Sequence, residues 1–470
     1  MKKVSYEKLN RRNFIKVVSA GAVAAGAALY GCSPSTGSKM GNETNDGVPT
    51  DKMTYRTNPS TKDKVSLLGF GCMRFPTLPK ADEDGNDIDQ KAVNKLVDYA
   101  IAHGINYFDT SPHYCQGFSE AAIGKALKKY PRNKFYIATK LSNFPDDPEL
   151  LTREGAMNMY LQSFKELQVD TIDYYLLHAV GGQTDDMDSM SLLKARFIDN
   201  GMLDFLLKER EKGHIRNLGF SFHGDVEVYD YLLSLNVKWD FVQIMLNYVD
   251  WDHAANDEVN ANYLYGELLK RHIPAVIMEP LRGGRLARLN FQLLSRLKQI
   301  RPNDNPAAWA FRFAGSFPDV LTVLSGMTYL ENIQQNVQTY SPLQPVTEKE
   351  KVLLEQIVEE IQKFPYIQCT ACQYCMPCPY GIDIPGIFAH YNKCLDEGNY
   401  STETQNPNYK KARRAFLIDL DRQIPRDRQP DHCIACGQCV PKCPQRIQIP
   451  DEMQKIDVFV NDLKKQGTNL

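Results

Sequence analysis

The sequence predicts an α/β protein, a (β/α)8 barrel followed by a smaller, mostly α-helical domain rich in cysteine. Two observations carry that reading. Between residues 65 and 340 the apolar spacing switches eight times from short buried-strand runs to helical periodicity, over the length an eight-stranded barrel takes. Eight of the 12 cysteines then crowd into two short runs beyond residue 368. A doubly wound open sheet is the competing arrangement, but it normally shows a Gly-rich phosphate loop after an early strand, and none is present. Lys plus Arg is 55 and Asp plus Glu is 57, a formal charge of −2, which gives no electrostatic footprint for nucleic acid.

Residues 1–50 read as an export signal and a tether, outside the fold. Arg11-Arg12 precedes Phe14-Ile15-Lys16, and a mild apolar run extends from Val17 to Tyr30. That run is too short and too rich in Ala and Gly to make a good spanning helix, and no stretch after residue 40 is apolar enough. Arg-Arg-x-Phe-Ile-Lys resembles the twin-arginine export signal. An ordinary basic leader is the alternative. Leu29-Tyr30-Gly31-Cys32 resembles a lipoprotein cleavage box with Cys32 acylated, although Tyr30 stands where a small residue is usual. Cleavage without a lipid is the alternative. The polar, Gly/Ser-rich stretch that follows suits a flexible tether. These features place the protein in the periplasm or anchored at the cell envelope. Twin-arginine transport carries folded cargo, which suits a protein that loads metal before leaving the cytoplasm.

The barrel is expected over 51–340. Residues 53–67 read as a polar hairpin plugging its floor. The strands are SLLGFGCMRF (66–75), NYFDT (106–110), FYIATK (135–140), IDYYLLH (172–178), IRNLGFSFH (215–223), FVQIMLN (241–247), PAVIMEP (274–280) and LTVLSGM (321–327). A helical stretch follows each.

Barrels of this kind do chemistry at the C-terminal ends of their strands. Asp109, Lys140 and His178 close the second, third and fourth strands, and Tyr114 lies in the loop after the second. Consecutive strands are neighbours, so the four can converge. Each alone is more often a packed or solvated residue; the joint placement on one rim reverses that. The set FDTSPHY, FYIATK and YYLLH resembles the aldo/keto reductase family. That resemblance, over about residues 53–340, implies an oxidoreductase with Asp109, Tyr114, Lys140 and His178 as its active site. Hydride reduction of a carbonyl leaves charge on oxygen, so a proton donor must meet it. Tyr114 is the candidate acid, Lys140 would lower its pKa, Asp109 would hold Lys140, and His178 would aim the carbonyl. His113 and Cys115 are read as pocket wall.

The resemblance also implies NAD(P). Ser221 and Gln243 look like the carboxamide partners, and Met278 stands where an aromatic usually stacks on the nicotinamide. PLRGGRL (280–286) would offer backbone N–H groups and Arg285 to the pyrophosphate. SGMTYLENIQQN (325–336) resembles the adenosine-phosphate segment, with Ser325, Asn332 and Asn336; Asn332 takes the place of an Arg that often grips a 2′-phosphate. Phe222 replaces the Asn often found after Ser221.

The last domain is expected over 350–470, entered through the helical stretch KVLLEQIVEEIQKF. Cys369, Cys372, Cys375 and Cys378 precede Pro379; Cys433, Cys436, Cys439 and Cys443 precede Pro444. The second run has the bacterial ferredoxin spacing, and the first is one residue shorter before its last Cys. Zinc and disulfides are the alternatives, but neither needs the Cys-Pro ending, and cysteines this close are poorly placed to pair with one another. The resemblance to two-cluster ferredoxins of the α-helical type implies two 4Fe-4S clusters. Their ligand sets would be crossed: Cys369, Cys372 and Cys375 with Cys443, and Cys433, Cys436 and Cys439 with Cys378. Cys394 reads as core, and Lys410, Lys411, Arg413 and Arg414 as a solvated face.

Barrel and tail together resemble aldo/keto reductases that carry a ferredoxin domain. The expected function is carbonyl/alcohol interconversion on a small carbonyl, alcohol or sugar-like substrate, with electrons passing through the clusters to a redox partner protein or quinone. Nicotinamide moves two electrons as hydride and each cluster moves one, so direct coupling is costly. The alternative is an exported electron-transfer or ligand-binding protein whose barrel has lost nicotinamide-dependent catalysis.

Overall fold

Eight parallel strands follow one another in chain order and close on themselves, the last pairing with the first. They are seen in a computed structural model that describes residues 46–184, 186–254 and 260–466. The twin-arginine segment and Cys32 lie outside the described residues. A short antiparallel hairpin comes first, β1 (Tyr55–Thr57) and β2 (Lys64–Ser66). The barrel strands are β3 (Leu68–Gly71), β4 (Tyr107–Asp109), β5 (Tyr136–Leu141), β6 (Ile172–Val180), β7 (Ile215–Phe222), β8 (Phe241–Met245), β9 (Ala275–Met278) and β10 (Val320–Gly326). All eight expected strands form, with ends moved by a few residues.

The two-residue period of a strand sorts its side chains between two cores. On β6, Tyr174 and Leu176 join Tyr107, Ala138, Phe241, Val276 and Leu321 in an inner cluster. Their neighbours Tyr175 and Leu177 join the larger core outside the strands. Helices supply the other side of that core. The helix Gln90–Ala102 buries Val93, Leu96, Val97 and Ala100, spaced three and four apart, and Asp89 caps it by accepting from the Ala92 N–H at 3.0 Å.

The hairpin plugs the floor as expected. Val65 enters the inner cluster. Between its strands, Asp63 accepts from Arg216 Nη2 at 2.5 Å and from the Tyr174 hydroxyl at 3.2 Å. Asn58 donates to Asn217 Oδ1 at 3.1 Å, so the buried polar groups of the floor satisfy one another.

The domain boundary moves. The helix Glu348–Gln362, assigned above to the last domain, buries Leu354, Ile357, Val358 and Ile361 in the barrel's core. A capping box between Thr347 and Glu350 starts it, and Glu350 also accepts from Arg301 Nε at 2.6 Å. An amphipathic pattern shows that a face is buried; it does not show which domain covers it.

The tail is mostly helical, as expected. Helices Ile384–Asp396, Tyr409–Gln423 and Ile449–Lys465 enclose a second core that includes Ile387, Phe388, Cys394, Phe416, Leu420, Met453 and Ile456. Each cysteine run is a loop feeding a helix with proline in its first turn, Pro385 and Pro450. Barrel and tail belong to one unit running from Gly47 onward. No helix among the described residues is long and apolar enough to cross a membrane.

If Glu348–Gln362 is a barrel element, Ile357→Ala lowers the barrel's stability by about 2–5 kcal/mol. The readout is urea unfolding followed by tryptophan fluorescence, since Trp239, Trp251 and Trp309 all precede the tail. An unchanged midpoint returns the helix to the last domain.

Candidate active site and cysteine cradle

Lys140 near the end of β5 is fully buried, so its charge needs partners. Its Nζ donates to Asp109 Oδ1 at 2.7 Å and to the Thr110 carbonyl at 2.7 Å. Asp109 ends β4, next to β5, which is why the pair forms. Burial raises the Asp109 carboxyl's pKa, and Lys140 acts against that rise. Its second oxygen, Oδ2, has no hydrogen-bond partner.

Tyr114 follows β4 on a sharp turn in which Cys115 and Gln116 both take left-handed backbone, φ 51° and 57°. The turn brings its ring 4.7 Å below the Lys140 ammonium and 5.9 Å from the His178 ring, edge to face. The expected lowering of the phenol's pKa is not what the structure shows. Burial pushes the Tyr114 hydroxyl well up, with Asp109 adding to the rise. Lys140 itself gives hydrogen bonds to Asp109 and Thr110.

His178 on β6 is buried and held from behind. Its Nδ1 lies 2.6 Å from Ser142 Oγ, and Ser142 lies 2.8 Å from Ser111 Oγ. Burial, then Lys140, drives the imidazole's pKa well down, so it is neutral at ordinary pH. Arg196 fixes the backbone behind it, donating to the His178 carbonyl at 2.6 Å and the Ala179 carbonyl at 3.1 Å. Sequence reasoning missed Ser111, Ser142 and Arg196. Ser142 had a signal: it lies two residues after Lys140, just past the end of the same strand, and so continues that face. His113 walls the pocket as expected, its ring 5.0 Å from Phe144. Cys115 lies 3.6 Å from the Cys72 carbonyl.

The tail contributes to this site. Tyr374, inside the first cysteine run, places its hydroxyl 3.4 Å from His178 Nε2. Its ring lies 6.2 Å from both His113 and Phe144.

The eight cysteines of the two runs carry no disulfide. Cys369, Cys372, Cys375 and Cys443 line one cavity. Burial raises the Cys375 thiol's pKa, and Cys372, Cys369 and Cys443 raise it further. Cys439 is pushed up to about 11 by burial and then by Cys433, Cys436 and Cys378. Cys375 is raised by Cys439 as well, so the two groups lie close together, and cysteines gathered in this way fit a metal that takes thiolates. The two loops also share a backbone. Ala371 and Gln373 have φ of 52° and 68°; Ala435 and Gly437, at the matching positions, have 57° and 78°. Cys394 is buried beside His390, 3.7 Å from its Nε2.

The residues expected to hold a dinucleotide are mostly engaged with the protein itself. Ser221 Oγ accepts from the Ala179 N–H at 2.8 Å. Gln243 donates to the Met278 sulfur at 3.4 Å, and only its buried Oε1 is without a partner, which suits a carboxamide donor. Asn336 donates to Ser325 Oγ at 3.1 Å, and Asn332 caps its own helix by accepting from the Tyr329 N–H at 3.1 Å. Arg285 donates to Gln368 Oε1 at 3.0 Å and lies 4.6 Å over the Tyr366 ring. Gly283 sits against Thr370: a Cβ there would lie 2.0 Å from the Thr370 carbonyl oxygen. The nicotinamide end keeps one fitting feature, and the pyrophosphate end does not fit.

Fold and rim together define an oxidoreductase barrel that carries an iron–sulfur domain. A sequence profile of the aldo/keto reductase family matches residues 67–358, more than half of the chain, and the chain belongs to that family. A second profile, for a 4Fe-4S dicluster domain, matches 368–449. The probable aldo-keto reductase 1 of Glycine max is 32% identical over 161 residues, 33% of this chain; the chain spans only 44% of that relative's length. The L-galactose dehydrogenase of Arabidopsis thaliana is 24% identical over 340 residues, 66% of this chain and 96% of the plant protein. The holo form of an aldo-keto reductase from Bacillus halodurans superposes with a TM-score of 0.50 at 23% identity, covering 65% of this chain and 96% of its own, and shows the shared fold.

Removing only one member of a buried ion pair leaves a charge uncompensated, at a cost of about 3–5 kcal/mol. Lys140→Met therefore lowers the melting temperature sharply, and adding Asp109→Leu restores much of the loss. A double variant no better than the single one contradicts the pairing.

Proposed function

We propose that the protein is an exported oxidoreductase that interconverts a carbonyl and an alcohol on a small hydroxylated molecule. Electrons would pass between the barrel rim and an outside carrier, a redox protein or a quinone, through two 4Fe-4S clusters. The observation that carries this reading is the convergence of Tyr114 and His178 on the buried Asp109–Lys140 pair.

Tyr114 stays protonated because it is buried, so it can donate to an oxygen that is gaining charge. Lys140 lies close enough to stabilise the phenolate left behind, and Asp109 keeps it in place. His178, neutral and held by Ser142, orients the substrate oxygen. Asp109 Oδ2, His223 Nδ1 and Glu279 Oε2, at or just past strand ends, and Gln243 Oε1 within β8 are buried without partners. Such groups call for polar company, and a polyhydroxylated substrate supplies it. The relative in Arabidopsis thaliana, an L-galactose dehydrogenase by name, supports a sugar-like substrate.

Cys369, Cys372, Cys375 and Cys443 would hold one cluster, and Cys378, Cys433, Cys436 and Cys439 the other. Bound there, the clusters would supply one-electron carriage between the barrel rim and the outside carrier. The occupied pyrophosphate end favours a second reading, a ligand-binding or electron-transfer protein whose barrel has lost nicotinamide-dependent catalysis. The N-terminal residues support export by the twin-arginine route, with a lipid on Cys32.

The full chain, purified without air, should carry iron and acid-labile sulfide. It should couple oxidation of sugars or polyols to a one-electron dye. Tyr114→Phe should slow that turnover by about 10²–10⁴-fold. Equal rates would remove Tyr114 from the chemistry. In cells, Arg11→Lys with Arg12→Lys should trap the protein in the cytoplasm, and Cys32→Ser should release it from the membrane fraction. Unchanged fractions contradict the export reading.

A further inference from the structure

We infer that the tail segment Tyr366–Tyr374 is a built-in occupant of the dinucleotide site, so that this barrel works without a bound nicotinamide and has the first cysteine cradle as its neighbour. The inference does not depend on which substrate the rim takes.

The segment is anchored at both ends of the place it fills. At the phosphate end, Arg285 gives its guanidinium to Gln368 and the Tyr366 ring. Arg282, the other cation of that loop, lies 3.3 Å from Asp250. A pyrophosphate arriving there would find Arg285 engaged and Arg282 paired with Asp250, with only the buried Arg282 Nε lacking a partner. In the middle, Thr370 sits directly on Gly283, whose φ of 68° and close approach exclude any side chain. Arg74, from the loop after β3, donates to the Thr370 carbonyl at 2.8 Å and the Ala371 carbonyl at 3.1 Å. Those bonds satisfy two carbonyls that a mobile flap would leave to water. At the catalytic end, Tyr374 reaches His178 Nε2 at 3.4 Å. A separate contact from the second run, Gln445 to the Met245 sulfur at 3.4 Å, ties the tail to the end of β8.

Two features argue for permanent occupancy over a swinging lid. Thr370, Arg282 and Gln445 are all buried where the two domains meet. The helix ending at Gln362 belongs to the barrel's core, so only residues 363–365 link it to Tyr366. Four steps of extended chain reach at most about 14 Å, which limits how far the segment can withdraw. Cys369 and Cys372 fall between the anchors. The anchors therefore hold one wall of the cradle against the rim, in the position a dinucleotide would otherwise take.

The test uses the full chain with its iron and sulfide in place. Titration with NADH and with NADPH to about 1 mM, followed by nicotinamide fluorescence, should show no saturation. Saturable binding at micromolar concentrations would overturn the inference. Hydrogen exchange gives a second measure. In the wild type, NADPH should leave exchange across 366–374 unchanged; loosening of that segment by NADPH, the mark of a lid, overturns permanent occupancy. In Gly283→Ala the new methyl has no room beneath Thr370, so exchange across 366–374 should rise by about tenfold or more while the barrel strands stay protected. Unchanged exchange in that variant means the segment does not rest on the loop.

Discussion

A fully buried ammonium can persist only beside a counter-charge, and Lys140 has one at 2.7 Å. That requirement organises the rim. Asp109 and Lys140 meet because β4 and β5 are adjacent, and adjacency in chain order follows from closure of the barrel. Closure in turn depends on strands whose side chains alternate between an inner and an outer core, with a hairpin sealing the floor. The pair then fixes its surroundings. Tyr114 can lie beneath the ammonium because the turn at Cys115 and Gln116 places it there, and His178 is neutral partly because that cation is nearby.

The second constraint is the contact between the domains. The barrel ends its strands in polar groups that need partners, and the tail supplies several of them. Gln368 and Tyr374 meet Arg285 and His178, barrel residues that the sequence alone assigns to cofactor and substrate, and Thr370 and Ala371 meet Arg74. Arg285 illustrates this. In isolation it is a phosphate ligand, whereas against Tyr366 it is a joint between domains.

Much of this was legible in the chain. Strand runs of period two, broken by helical spacing, located all eight barrel strands. Ionisable residues at the ends of three of them located the rim. Cysteines two residues apart located the cradle, where Cys443 of the second run joins three cysteines of the first. What escaped was whatever depends on the other half of a contact. The helix Glu348–Gln362 shows its apolar stripe in sequence but not the barrel that covers it. The sequence sets Tyr114 and Lys140 near the ends of adjacent strands, but only burial shows that the phenol's pKa moves upward. Tyr374 reads as a spacer between two cysteines, and nothing local says that it faces His178 from nearly two hundred residues away.

The two cysteine loops carry left-handed backbone at the same two positions, and three of those four residues are not glycine. Such a conformation costs energy at each non-glycine residue, so it persists only where the surroundings impose it. Two stretches that share few residues besides cysteine are thus bent into one shape, each ahead of a helix with proline in its first turn. The tail is in effect a pair of like halves clasped on a single chain. Because Cys443 of the second half lines one cavity with Cys369, Cys372 and Cys375 of the first, the first half cannot close its own cavity alone.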